Sequence, residues 1–173
     1  MNRINLLFIV GVAMAVVSYW YTLLDTDIHK PSPVTGTGIK VGQILPPLSL
    51  EGLDGSPVKI SPSGKIIVLN FWATWCKAYR EEMPGIEKFY QQNQKKVEFY
   101  AINSQDSRGE IIDFMTRSQY TMTVLLDKDG IVGEKFQVTA IPTTIIINKH
   151  GMIKYHKSGA ITRTELEGIV NSL

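Results

Sequence analysis

The chain has 173 residues, 44% of them apolar and 20% charged, with a net charge of +2 and a single cysteine. That length supports one domain with a real core plus an appendage, and so small a charge surplus gives no basis for a nucleic acid or other polyanionic partner. One cysteine excludes an intramolecular disulfide; it is either an inert small apolar side chain or, in an exported protein, a reactive or intermolecularly paired thiol.

From Ile4 to Leu24 the sequence is apolar except at Asn5, Ser18 and Thr22. This is about the twenty residues a helix needs to cross a bilayer. Arg3 precedes the run, and Tyr19, Trp20 and Tyr21 cluster near its far end, so the spacing predicts a cytoplasmic N-terminus and an interfacial aromatic belt outside. A cleavable signal peptide would end in small residues, whereas this run ends Trp-Tyr-Thr-Leu-Leu. A buried core helix is the other alternative, and the uniformity of the run at the chain start argues against it. Residues 1–24 are therefore expected to form a cytoplasmic tip and transmembrane anchor. Residues 25–40, with Pro31, Pro33, Gly36 and Gly38 among Ser, Thr and His, read as a linker. Residues 41–173 read as the globular domain.

The domain opens with Leu48–Leu50 and Val58–Ile60 around a turn-rich Gly52–Pro57, a hairpin signal. Ile66–Phe71 is a nearly unbroken apolar run, as in a buried central strand. A helix is expected from Cys76, because Tyr79, Met83, Ile86 and Tyr90 share one face; Pro84 lies inside it and should kink it. Val97–Ile102 reads as a strand, and Ser107 with Glu110 as a capping box opening a helix with Ile111, Phe114 and Met115. Further strands are expected at Thr123–Leu126, Thr143–Ile147 and Met152–Tyr155, with a short helix near Ile131–Phe136. Thr162 and Glu165 should cap the last helix, with Ile161 stapled onto Leu166. Strands alternating with helices, then a closing hairpin, indicate an α/β fold with a mixed sheet covered by helices on both faces.

The informative stretch is Phe71-Trp72-Ala73-Thr74-Trp75-Cys76-Lys77-Ala78-Tyr79-Arg80-Glu81-Glu82-Met83-Pro84. A buried strand delivers a cysteine to the first turn of a helix. Free backbone N–H groups there favour thiolate, the attacking form in disulfide exchange, and Lys77 would add positive charge in the same sense. The stretch resembles the active-site segment of the TlpA/ResA-like membrane-anchored thioredoxins, which normally reads Trp-Cys-x-x-Cys followed by a Glu and Pro. The resemblance covers nearly the whole chain, including the anchor, Val41-Gly42, Pro46-Pro47, an inserted helix and strand at 107–126, and Val138-Thr139-Ala140-Ile141-Pro142-Thr143-Thr144. It implies a thioredoxin-like fold in which Pro142 is cis beside Cys76, Ile141 pairs its backbone with substrate, and Glu82 is the active-site glutamate.

The family's second cysteine is absent, and Tyr79 stands at that resolving position. Tyr79 cannot release a mixed disulfide. Its place on the apolar face suggests a ring filling the space of a buried thiol, since a phenol of pKa near 10 is a poor base at neutral pH. Trp72 and Trp75 read as packing residues, with Trp75 also able to shield the thiol and touch substrate. Glu82 taken without the family would be a solvated helix residue. His29, His150 and His156 show no metal-ligand spacing with Cys76, so neither a metal nor a cofactor is expected.

Three functions are compatible with these residues. The first is an extracytoplasmic, membrane-anchored thiol–disulfide oxidoreductase acting through Cys76 alone, its mixed disulfide resolved by an external thiol. The resemblance implies exported proteins with cysteine pairs, including apocytochromes c, as clients in cytochrome c biogenesis and cell redox homeostasis. It also implies a membrane thiol transporter as electron source, and a small-molecule thiol would serve in resolution. The second is a redox-inactive binding module that keeps the groove beside Ile141-Pro142. The third is a thiol peroxidase, disfavoured because Leu69 and Ala73 occupy the positions of the Pro and Thr in Pro-x-x-x-Thr-x-x-Cys; a glutathione-peroxidase-like reading fits only through Asn70 and Ala73. A copper chaperone would need a second cysteine ligand. The anchor makes a direct prediction: in intact protoplasts or spheroplasts, added protease should remove a C-terminal tag. Protection until lysis, or release of a shortened soluble form, would contradict it.

Overall fold

The computed structural model describes residues 38–173, so the expected anchor and most of the linker lie outside the described residues. Among the described residues no helix is long and apolar enough to cross a membrane. The elements are β1 (Leu48–Gly52), β2 (Pro57–Ile60), β3 (Ile66–Trp72), α1 (Lys77–Asn93), β4 (Val97–Asn103), α2 (Arg108–Ser118), β5 (Thr123–Leu126), α3 (Ile131–Lys135), β6 (Thr143–Ile147), β7 (Ile153–Ser158) and α4 (Arg163–Asn171). The strands form one mixed sheet in the order β2-β1-β5-β4-β3-β6-β7. β4 runs parallel to β3 and β5, while β6 is antiparallel to β3 and to β7. The β1–β2 hairpin docks antiparallel on β5.

Every residue of β3 is buried, which explains its continuous apolar run: both faces of the strand are covered. Ile66, Val68 and Trp72 join the core under α1, α2 and α4, whereas Ile67, Leu69 and Phe71 join the opposite core. The expected helices on both faces are therefore unevenly shared. The second face is covered by Val132 of α3, by Phe136 just beyond it, and by the non-helical Leu45. On the first face Tyr79, Met83, Ile86 and Phe89 of α1 are fully buried. The predicted stripe holds for the first three, with Phe89 filling the innermost place and Tyr90 partly exposed.

The capping signals resolve differently at the two helices. At α2 the box closes: Glu110 N donates to Ser107 Oγ at 3.3 Å, and Ser107 N donates to Glu110 Oε2 at 2.8 Å. At α4 only half forms. Glu165 N donates to Thr162 Oγ1 at 3.2 Å, but the Glu165 carboxylate is taken by Lys157 Nζ at 2.8 Å and Tyr155 Oη at 2.7 Å on the neighbouring β7. Ile161 and Leu166 are both buried, as the staple requires. The last strand extends to Ser158, beyond its apolar start, because the Thr143↔Ser158, Thr144↔Lys157 and Ile145↔His156 pairs with β6 hold the polar residues in the ladder.

Candidate active site

Three chain segments meet at the carboxyl end of β3. The first carries the thiol. Cys76 is the N-cap of α1, in extended conformation (φ −72°, ψ 108°), so the helix itself starts at Lys77 rather than at the cysteine. The Cys76 carbonyl accepts the first helical bond from Arg80 N at 3.1 Å. The second segment follows β4, which ends opposite Trp72 in register with Asn103. The third precedes β6 and contains the cis Ile141–Pro142 bond. Cys76 Sγ donates to the Ile141 carbonyl at 3.6 Å. The thiol is 7% exposed, while Trp75 beside it is 60% exposed. Trp75 and Ile141 are walls of a groove of about 860 Å³ whose polar lining includes Ser104, Gln105, Lys128 and Gln137.

Asp106 holds the thiol loop in place. Its carboxylate accepts from Thr74 N at 2.6 Å, from Thr74 Oγ1 at 2.9 Å and from Asn103 Nδ2 at 2.7 Å. Asn103 Oδ1 in turn accepts from Gln105 N and Asp106 N, closing the turn after β4. Sequence reading missed this clamp. The Asn-x-x-Asp spacing signals a local turn, but only the parallel β3–β4 pairing brings it to Thr74.

Lys77 pairs along the helix with Glu81. Its Nζ lies 3.7 Å from Glu81 Oε1, with both side chains largely in solvent, a pair that contributes little. Tyr79 sits where the apolar stripe puts it. It is fully buried, its ring stacks on Trp72 with centroids 4.7 Å apart, and its hydroxyl lies 3.9 Å from Met122 Sδ. Burial, reinforced by Glu82, pushes the phenol well above 10, so it stays protonated and is no base at neutral pH.

Glu82 is farther along α1, about 9 Å of helical rise from Cys76, and no hydrogen bond joins the two. Its Oε2 accepts from Ile161 N at 2.7 Å, and its Oε1 is buried without a partner. Burial raises its pKa to about 7, against smaller lowering contributions from the Ile161 N–H, Asn70 and Lys157. The structure thus brings Cys76, Trp75, Ile141 and Pro142 together and holds Glu82 farther along α1 on the Ile161 N–H. His150 lies in the β6–β7 turn and His156 on β7, and among the described residues no cluster suited to a metal forms.

This arrangement of mixed sheet, thiol at a helix entry and facing cis-proline loop defines a thioredoxin-fold protein. Residues 41–156 match the AhpC/TSA family, and the chain belongs to it. The thioredoxin-like protein YneN of Bacillus subtilis is 36% identical over 134 residues, covering 75% of this chain and 78% of that one. The thiol-disulfide oxidoreductase ResA of Geobacillus kaustophilus is 32% identical, covering 79% and 80%. Among solved structures, a secreted disulfide oxidoreductase of Mycobacterium tuberculosis matches with a TM-score of 0.66 at 26% identity, over 73% of this chain and 96% of that one. These relatives agree with the TlpA/ResA-like resemblance of the active-site stretch.

Two predictions follow from the geometry. Asp106→Ala leaves Thr74 N–H without its acceptor and should loosen the Cys76 loop, raising the alkylation rate of Cys76 in the folded protein several-fold; an unchanged rate would remove Asp106 from the site. For Glu82, the folded pKa lies above the unfolded value near 4.5. Its stabilising contribution is therefore complete below pH 4.5 and lost as pH rises through about 7. Glu82→Gln copies the protonated form, so its denaturation midpoint should match wild type near pH 4 and exceed it near pH 8. A difference independent of pH would contradict this.

Proposed function

We propose that this chain is an extracytoplasmic, membrane-anchored thiol–disulfide oxidoreductase that works through Cys76 alone. The observation that carries the reading is the Cys76 thiol at the mouth of α1, 3.6 Å from the Ile141 carbonyl and beside the exposed Trp75. The relatives named as thiol-disulfide oxidoreductases support the same chemistry. The Cys76 thiolate attacks one sulfur of a client disulfide; that S–S bond breaks, and the other client sulfur leaves as a thiolate and takes a proton. An external thiolate then attacks Cys76 Sγ in the mixed disulfide and expels the second client thiolate. A second external thiol frees Cys76. The net exchange converts one client disulfide and two external thiols into a client dithiol and an external disulfide.

In this reading Ile141 and Pro142 hold the client backbone, Trp75 flanks it, and Glu82 holds a proton behind the site. Clients are exported proteins with cysteine pairs, apocytochromes c among them, and the electrons come from a membrane thiol transporter or a small-molecule thiol. The Ile4–Leu24 run supplies the anchor, residues 25–40 the spacer and residues 41–173 the working domain. A binding module is the second reading, favoured by Tyr79, which fills the resolving position with a stacked ring. The AhpC/TSA family name raises the thiol peroxidase, but Leu69 stands where that pattern has its Pro and Ala73 offers no hydroxyl where it has its Thr, and both are fully buried.

Wild type should accumulate mixed disulfides with clients and clear them when a small thiol is added. Tyr79→Cys restores a pair one helical turn apart and should form an internal disulfide under mild oxidants, with reductase turnover no longer needing the small thiol. The lost ring costs about 2–4 kcal/mol through the cavity it leaves, so folding is checked first by circular dichroism. A folded, oxidised variant without exchange activity, together with a wild type that traps no client, would replace this reading with the binding module.

A further inference from the structure

Three loops build the end of the sheet opposite the thiol. Lys65 leads into β3, Lys95 and Lys96 lead into β4, and Lys149 lies in the β6–β7 turn. Ile66 pairs with Val97 and Ile67 with Ile147, so the register brings these loops to one end, while Cys76 follows the other end of β3. Residues 61–65, 94–96 and 148–151 contain these four lysines and no Asp or Glu. Among the described residues none of the four lies in an ion pair, whereas Lys77, Lys128 and Lys157 are each held by a carboxylate. Lys95, Lys96 and Lys149 are exposed; Lys65 is half-buried and donates only to the Gln94 carbonyl, at 3.3 Å. Glu98, at the start of β4, is occupied by Ser63 Oγ at 2.9 Å and by the Tyr100 hydroxyl.

An apolar strap adjoins the lysines. Gly42 N donates to the Ile153 carbonyl and Leu45 N to the Gly151 carbonyl, each at 2.8 Å, and Ile44 bridges to Met152. Leu45 turns into the core, but Val41 and Ile44 remain 55% and 58% exposed. Four lysines spread over three loops do not converge as a site for one small anion would require. A soluble polyanion would meet the charges and leave the two aliphatic side chains in water. An anionic bilayer offers a plane of phosphates with apolar chains beneath it, and so meets both.

We propose that this lysine end of the domain rests on an anionic lipid surface, with Lys65, Lys95, Lys96 and Lys149 against headgroup phosphates and Ile44 among the headgroups. The inference rests on the reading of residues 1–24 as an anchor, which supplies the bilayer, and is independent of the thiol chemistry. The seven residues of β3 span roughly 20 Å. Cys76 therefore stands more than about two screening lengths from the headgroups, since that length is about 8 Å at physiological salt. The thiol groove faces away from the bilayer, open to exported clients and outside the field of the lipid charges.

The test inserts the full chain into nanodiscs of phosphatidylcholine alone, or of phosphatidylcholine with phosphatidylglycerol. Acetylation of each lysine is then followed by mass spectrometry. In the anionic discs the four lysines should react several-fold more slowly than in the neutral ones, and high salt should remove the difference. Lys77 and Lys128, at the thiol end, should react alike in both. Lys95→Glu combined with Lys96→Glu, at two exposed loop positions, should restore fast acetylation of Lys65 and Lys149 in the anionic discs. Equal rates in the two discs would overturn the proposal and leave the anchor standing. Protection of Lys77 in place of the four would put the thiol end on the lipid and overturn it too. A chain that does not insert would dismiss the anchor and this proposal together, without bearing on thiol exchange.

Discussion

The position of β3 between a parallel and an antiparallel neighbour governs everything else at the site. Because β4 runs alongside it in the same direction, the turn after β4 emerges next to the turn after β3. Because β6 runs the opposite way, it is the segment before β6 that arrives at that same edge. The thiol loop, the Asp106 clamp and the Ile141–Pro142 loop therefore converge without any of them being close in sequence. Burial of β3 on both faces makes that edge rigid, since a shift of one residue would move Val68 and Trp72 into the wrong core.

The same burial gives the site its polar character. Asn70 and Thr144 pair with each other across β3 and β6, and Glu82 of α1 is bound to the Ile161 N–H. In a medium where water is excluded, an ionised carboxylate needs more than the single Ile161 N–H donor it has. Its pKa rises toward neutrality for that reason, and the pH range in which the protein is most stable moves downward. A buried polar group destabilises a core unless it is paired.

The replacement of a second thiol by Tyr79 is accommodated by packing. The ring stacks on Trp72, which in turn packs against Phe114 at 5.5 Å. A small thiol at this position would leave a void beside Trp72. The chain therefore combines a complete thioredoxin-fold groove with a core rebuilt around an aromatic residue, and any resolving sulfur comes from outside the chain, which has one cysteine. In the proposed mechanism that separates attack from release: the first depends on residues at the end of β3, the second on the supply of external thiol.

Local signals were legible in the sequence because they depend on neighbours within a few residues. The β1–β2 hairpin, the α1 stripe, the α2 capping box and a cysteine entering a helix all follow from spacing, and the family motif marked Glu82, Ile141 and Pro142. Local reading went astray where a distant partner competed, as when Lys157 and Tyr155 drew Glu165 away from its cap. The Thr74–Asp106 clamp, the Asn70–Thr144 pair and the anchoring of Glu82 to the Ile161 amide span 32, 74 and 79 residues. Such contacts exist only once strand order and register are set. Whether a carboxyl on a helix is solvated or buried is likewise a property of everything packed around it, so the sequence determined which groups the site contains, and the tertiary structure decided which of them meet and how strongly water is excluded from them.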